Sequence, residues 1–315
     1  MRSEYYFDSL GGGRIHACRW TPDGEIKAVV QIVHGIAEHA MRYEDFAGFL
    51  NSRGILVVAE DHMGHGKSIC DQTPRGCIHG GWKTMVKDSY RLARDTRAEF
   101  PDVPFLLFGH SMGSFMARTI LAKYPDSGIS GAIICGSAWM PDAVVSAGRA
   151  VSGMICKLKG AHHYSTMLQS MMFGGYNKRI EHPRTASDWL TRDNRIVDDY
   201  EADPDCGFIP SAGLVNAMME GILYIQNPEK LGNMKKELPV LFIAGGDDPV
   251  GGYGEGVRKA VAEFKKHGME QVDMRIYPMC RHEILNELNL QEVYENTAEW
   301  IEKIILVRNN GLNMR

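Results

Sequence analysis

Short aliphatic runs alternating with stretches of helical periodicity constrain this chain more than any other feature. The runs are Ala28–Val33 (AVVQIV), Ile55–Ala59 (ILVVA), Phe105–Phe108 (FLLF), Ala132–Cys135 (AIIC), Val240–Ala244 (VLFIA) and Met274–Tyr277 (MRIY). They do not alternate apolar with polar residues, as expected for strands buried on both faces of a mainly parallel sheet. Between them, Tyr43–Arg53 places Phe46, Phe49 and Leu50 on one helical face. Similar patterns cover Lys83–Phe100, Met112–Tyr124, Gly254–His267 and Gln291–Val307. Upstream, Glu4–Leu10 and Arg14–Trp20 flank Gly11-Gly12-Gly13 and predict an antiparallel hairpin. The order of elements predicts an α/β fold.

The alternation breaks between about Ala138 and Pro239, where strand-like runs vanish and methionines and aromatics concentrate, as in MICKLKGAHHYSTMLQSMMFGGY and GLVNAMMEGILYI. A strand-free stretch of roughly 100 residues is too long for a loop in a compact domain, so it predicts a helical insertion. The expected division is a core over 1–137 and 239–315, interrupted by the insertion at 138–238. With 315 residues, 44% of them hydrophobic, the chain can bury a large core. A formal net charge of −4 gives no electrostatic case for nucleic acid. The seven cysteines are scattered and never in a C-x-x-C pair, which argues against a disulfide framework and fits a reducing cytoplasm. The N-terminus lacks the apolar segment of a signal peptide. No stretch reaches the ~20 apolar residues of a membrane span, because Arg149 and Lys157 interrupt Asp142–Leu158.

Chemistry enters at Gly109-His110-Ser111-Met112-Gly113. In a chain with 34 glycines this short pattern carries little weight alone. Its context carries more, since FLLF precedes it and an amphipathic stretch follows. Gly-x-Ser-x-Gly between a buried strand and a helix is a nucleophile elbow that projects the serine Oγ above the sheet. Ser111 is therefore the candidate nucleophile, with Met112 N–H as one oxyanion donor. The second donor in such sites comes from the loop after the third strand, often a His-Gly motif. Val33-His34-Gly35-Ile36 nominates the Ile36 N–H, with the His34 side chain shaping the loop.

Two later strand ends complete the set. Gly245-Gly246-Asp247-Asp248-Pro249 follows VLFIA, and Cys280-Arg281-His282-Glu283 follows MRIY. Ser, Asp, His is the chain order of the α/β-hydrolase triad, and each residue stands at the sheet edge where α/β sites gather. His282 is the candidate base. Either Asp247 or Asp248 could orient it; the proline after Asp248 holds that residue extended and favours it. Asp61-His62-Met63-Gly64-His65-Gly66-Lys67-Ser68 offers an Asp, His, His set to a metal, but no complementary acidic or thiolate cluster supports that; it reads as a Gly-rich loop beneath the site, and neither a metal nor a cofactor is expected. Cys280, two residues before His282, reads first as a small residue in the strand-end loop; a position near the active centre, with modest thiol sensitivity, is the alternative.

With these residues in place the sequence resembles the monoacylglycerol lipase and lysophospholipase branch of the α/β-hydrolases. HGIAEHAMRYEDFA, EDHMGHGKS, GHSMG, GGDDPVG and RHEILNE carry the likeness, over roughly 28–136 and 238–305. The resemblance maps Ser111, Asp248 and His282 to the triad and Ile36 and Met112 to the oxyanion hole. It implies a serine hydrolase acting on monoacylglycerols or other single-chain lipid esters. It also implies a cap over 138–238 that forms an acyl tunnel and touches membrane surfaces transiently. Within that cap Met167, Met171, Met172 and Phe173 are the candidate substrate-binding residues. The same fold would also serve a short-chain carboxylesterase, a thioesterase, an acyltransferase, a peptidase-like amidase or a non-catalytic ligand-binding protein.

Overall fold

The aliphatic runs form the centre of one eight-stranded sheet in a computed structural model that describes residues 1–312. Its strands are β1 (Arg2–Asp8), β2 (Arg14–Trp20), β3 (Ala28–Val33), β4 (Ile55–Glu60), β5 (Phe105–His110), β6 (Gly131–Cys135), β7 (Val240–Gly245) and β8 (Val272–Tyr277). The spatial order is β1-β2-β4-β3-β5-β6-β7-β8. β1 and β2 form the expected hairpin, β2 also runs antiparallel to β4, and the remaining neighbours are parallel. Every residue of β3 to β7 is buried. Gln31, the polar residue inside β3, donates through its amide nitrogen to Glu60 Oε2 at 3.1 Å and Ser89 O at 3.0 Å.

Helices cover both faces. Phe46 and Leu50 of α1 (Glu44–Asn51) share one core with Val293 and Ile301 of α10 (Leu290–Leu312). The other core takes Trp82 of α2 (Gly81–Glu99), Phe115 of α3 (Met112–Lys123) and Phe264 of α9 (Glu255–Lys266). Between β6 and β7 the chain forms α4 (Asp142–Lys159), α5 (Thr166–Phe173), α6 (Asn194–Ala202), α7 (Ala212–Gln226) and α8 (Pro228–Gly232). Leu214 and Ile222 of α7 lie in the same cluster as Trp82 and Phe115, so this insertion is welded to the sheet layer. Among the described residues Leu190, Tyr200 and Cys206, with Trp189 against them, form a small separate cluster.

β3 pairs with β4 on one side and β5 on the other. The chain therefore reverses its direction of travel across the sheet there, and the crevice beyond the C-terminal ends of such strands is where α/β folds build sites.

Candidate active site

Ser111 turns the chain from β5 into α3 at φ 52° and ψ −121°, a backbone that stores strain. Close packing explains the flanking glycines. A Cβ on Gly113 would stand 1.9 Å from Val33 O, and one on Gly109 would stand 2.5 Å from Gly113 O. The Ser111 amide donates to Cys135 O at 3.0 Å, tying the turn to β6.

The loop after β3 lies beside this turn, since a Cβ on Gly35 would fall 3.0 Å from Ser111 Cβ. Glu38 folds the loop back on itself, accepting from the Gly35 amide at 2.5 Å. Among the described residues neither the Ile36 nor the Met112 amide donates to an acceptor within the chain. The His34 ring shapes the loop, as expected: its Nε2 accepts from the His62 amide at 3.0 Å.

His282 Nδ1 faces Asp248 Oδ2 at 3.0 Å, and both residues are buried. The other oxygen of Asp248 accepts from the Val250 amide at 2.8 Å. Asp247 is exposed and makes no such contact. The structure thus brings Asp248, and not Asp247, to the histidine. Cys280 takes the place of a small residue packed in the strand-end loop. It is fully buried, donates to Asn289 Oδ1 at 3.0 Å, and burial pushes its thiol up to about 11, so it lacks the thiolate character of a reactive cysteine.

Two cavities meet at Ser111. One, of about 420 Å³, is apolar and lined by Met112, Phe115, Met140, Leu168, Met171, Met172, Met218, Met219 and Ile222 among others. The second, of about 270 Å³, is more polar and includes Glu38, His110, Gln169, Ser187, Tyr200, Glu201, His282 and Glu283. Ile36, Ser111, Phe173 and Trp189 line both. Of the methionines expected to bind substrate, Met171 and Met172 reach the apolar cavity, as does Phe173. Met167, one turn before Met171 on α5, is half-exposed and is not among the residues that line that cavity.

The Asp61–Ser68 loop is structural in its contacts. Asp61 accepts from the Ala40 and Lys67 amides and faces His16 Nδ1 at 2.8 Å. His62 Nε2 meets His34 O at 3.0 Å, and His65 Nδ1 meets Met63 O at 3.0 Å.

Sequence reasoning missed a buried ionic network beneath the site. Glu38 faces His110 Nδ1 at 3.1 Å and accepts from Tyr43 Oη at 3.0 Å and Arg42 Nη1 at 3.1 Å. Arg42 also donates to both oxygens of Glu283, at 2.6 and 2.7 Å. Burial alone would push the Glu38 carboxyl up, but His110 and then Arg42 hold it well below the usual carboxylate range. The His110 ring lies 4.8 Å from that of His282, and Trp189 covers His282 at 5.0 Å. Glu38 and Arg42 stand inside HGIAEHAMRYEDFA and could have been singled out there. Trp189 lies in the insertion, where no motif marks it.

Comparison with known proteins agrees with this geometry. Residues 24–289 match the family described as serine aminopeptidase, S33. The monoacylglycerol lipase of Mycolicibacterium smegmatis is 29% identical over 312 residues, covering 95% of this chain and 97% of that protein. Human monoglyceride lipase is 27% identical over 237 residues, covering 75% and 70% respectively. A thermostable carboxyl esterase from Bacillus coagulans, solved with glycerol, is 32% identical with a TM-score of 0.88, covering 96% of this chain and 99% of that one. The elbow, the sheet order and these likenesses agree: the chain belongs to the serine aminopeptidase S33 family of α/β-hydrolases.

Proposed function

We propose that this protein is a serine hydrolase that cleaves carboxylic esters through an acyl-enzyme, with monoacylglycerols and similar single-chain lipid esters as substrates. The observation that carries the reading is the position of Ser111 where an apolar and a polar cavity join. An ester of a fatty acid with a small polyol has that same division at its carbonyl. The names of the relatives, monoacylglycerol lipase and carboxyl esterase among them, support the substrate class.

In this reading Ser111 Oγ attacks the ester carbonyl while His282 takes its proton. The tetrahedral oxyanion accepts hydrogen bonds from the Ile36 and Met112 amides. Collapse breaks the bond to the alcohol oxygen, which leaves with the proton from His282. Water then attacks the acyl-serine, giving its proton to His282, and the fatty acid departs as Ser111 regains a proton. Asp248 holds the imidazole in the required tautomer and stabilises the imidazolium. The methionines of the apolar cavity accommodate varied chains, because thioethers repack easily. Residues 138–238 act as the cap, and the apolar outer face of α4 rests on lipid surfaces. All seven cysteines are free, which supports a cytoplasmic location. Among the described residues no helix is long and apolar enough to cross a membrane.

The family description raises an aminopeptidase reading, which needs a carboxylate free to bind a substrate ammonium. Two of the three carboxylates lining the polar cavity, Glu38 and Glu283, are taken by Arg42, which leaves the exposed Glu201 as the one to bind an ammonium. A fluorophosphonate probe combined with glyceryl and p-nitrophenyl esters of 2 to 18 carbons, beside aminoacyl amides, tests the choice. Expected are labelling of wild type but not Ser111→Ala, and turnover favouring medium or long acyl chains. Turnover of amides alone, or of only the shortest esters, would overturn the substrate assignment. Absence of labelling would overturn the enzyme.

A further inference from the structure

The loop after β3 is held from outside the sheet. Ala37 stands at φ 57°, in the left-handed region that a residue with a Cβ leaves unless its neighbours retain it. Its carbonyl accepts two hydrogen bonds. One comes from the Tyr200 hydroxyl at 2.9 Å and the other from the Gly207 amide at 3.0 Å. Both donors belong to the helical insertion, Tyr200 lying 163 residues further along the chain. Next to them His39 Nε2 meets Asp203 Oδ2 at 2.8 Å, a third tie between the same loop and the turn after α6.

Tyr200 is placed firmly enough to serve as a reference point. It is buried in the small Leu190, Tyr200, Cys206 cluster. The Arg42 guanidinium lies 4.8 Å from the centre of its ring, and Arg42 is clamped to Glu283, the residue after His282. The cluster is also sewn to the histidine loop. The Glu283 amide donates to Leu190 O at 2.7 Å, and Arg281 Nη1 donates to Asp188 O at 2.7 Å and Thr191 O at 3.0 Å. Burial pushes the Tyr200 phenol up, so the hydroxyl remains a donor throughout the working range.

The Ile36 amide therefore sits between two holds. Glu38 fixes Gly35 on one side, and the insertion fixes Ala37 on the other. We infer that Tyr200 is a positioning residue for the oxyanion site: by gripping the Ala37 carbonyl it keeps Ala37 left-handed and the Ile36 amide aimed beside Ser111. The inference rests on the proposed role of Ile36, and it makes residues 187–207 part of the catalytic frame instead of a mobile cover.

Tyr200→Phe tests this, since it keeps the ring against Arg42 and removes only the hydroxyl. Removing an oxyanion donor outright costs about 10²- to 10³-fold in kcat, and a misaimed one less. The expected loss is about tenfold in kcat, normalised to fluorophosphonate-titrated sites so that misfolded protein is not counted, with KM within about twofold. Binding of an alkyl boronic acid, whose tetrahedral adduct fills the oxyanion site, should weaken by a similar factor. The second arm repeats the change in an Ala37→Gly parent. Glycine holds positive φ without help, so there the further loss should shrink to about threefold or less. The inference is overturned if Tyr200→Phe keeps wild-type kcat, acts on KM alone, or loses the same factor in both backgrounds. Failure of the wild type itself to react with fluorophosphonate or to turn over esters would fault the functional reading instead.

Discussion

Asp247 and Asp248 are neighbours in sequence and opposites in environment. Asp248 is fully buried, with one oxygen on His282 and the other on the Val250 amide, whereas Asp247 faces solvent. Strand-end spacing alone left both in contention, because loop geometry decides which carboxylate turns inward. Asp248→Asn is therefore expected to lower kcat by on the order of 10³- to 10⁴-fold through loss of the correct imidazole tautomer. Asp247→Asn should stay within about twofold. Steady-state kinetics on one ester checks the pair, and a larger loss in Asp247→Asn would reverse the assignment. Ser111, His282, Ile36 and Met112 were more legible, since each stands at a fixed offset from a buried strand end. Glu38, Arg42 and Tyr200 were not: their significance lies in contacts that cross between distant segments.

Among elements, the insertion is the one whose helical character could be read and whose orientation could not. Its composition gives the helices, but which side of each meets the sheet is settled by packing. α4 buries Val145 and Ser152 and runs along α7. Its opposite side presents Met154 and Leu158, each more than half exposed, and α5 adds Met167, while Val144 and Met171 are half-exposed residues of the apolar cavity. An exposed apolar stripe of this kind marks an interaction surface, here proposed to meet lipid. Met154→Asp with Leu158→Asp touches neither cavity. The double variant should lower turnover of substrate presented in vesicles by about fivefold or more, by removing apolar area and adding charge at the interface. Its activity on a dissolved short-chain ester should remain within about twofold. Equal rates on vesicles would remove the surface from the proposal. Met167 belongs to this outer stripe and is not among the residues that line the apolar cavity.

At the scale of the whole molecule, the fold was legible because β3 to β7 are buried on both faces and read as unbroken aliphatic runs. The ionic consequences of packing them together were not. His65 is fully buried, and burial first and His62 second bring it down to about 4 from 6.5; His34 is held well below 6.5 by the same causes. A folded pKa below the unfolded value means that stability is complete above about pH 6.5 and is lost as pH falls towards 4. The depressed carboxyls of Glu38 and Glu283 extend that loss below pH 4.5. His110 acts in the opposite window: its raised pKa gives stability fully present below 6.5 and lost as pH rises above it. Thermal midpoints should fall by about 5 °C or more between pH 6.5 and 4, and by less in His65→Gln. A midpoint flat across that window would show that the buried histidines do not govern acid lability. The junction of the two cavities at Ser111 also sets an order of traffic. In the proposed mechanism the acyl chain bonded to the serine still occupies the apolar side, while the polar side empties with the alcohol. On that proposal whatever next reaches the carbonyl arrives by the vacated route, which Glu201, Gln169 and Ser187 line and the methionines do not.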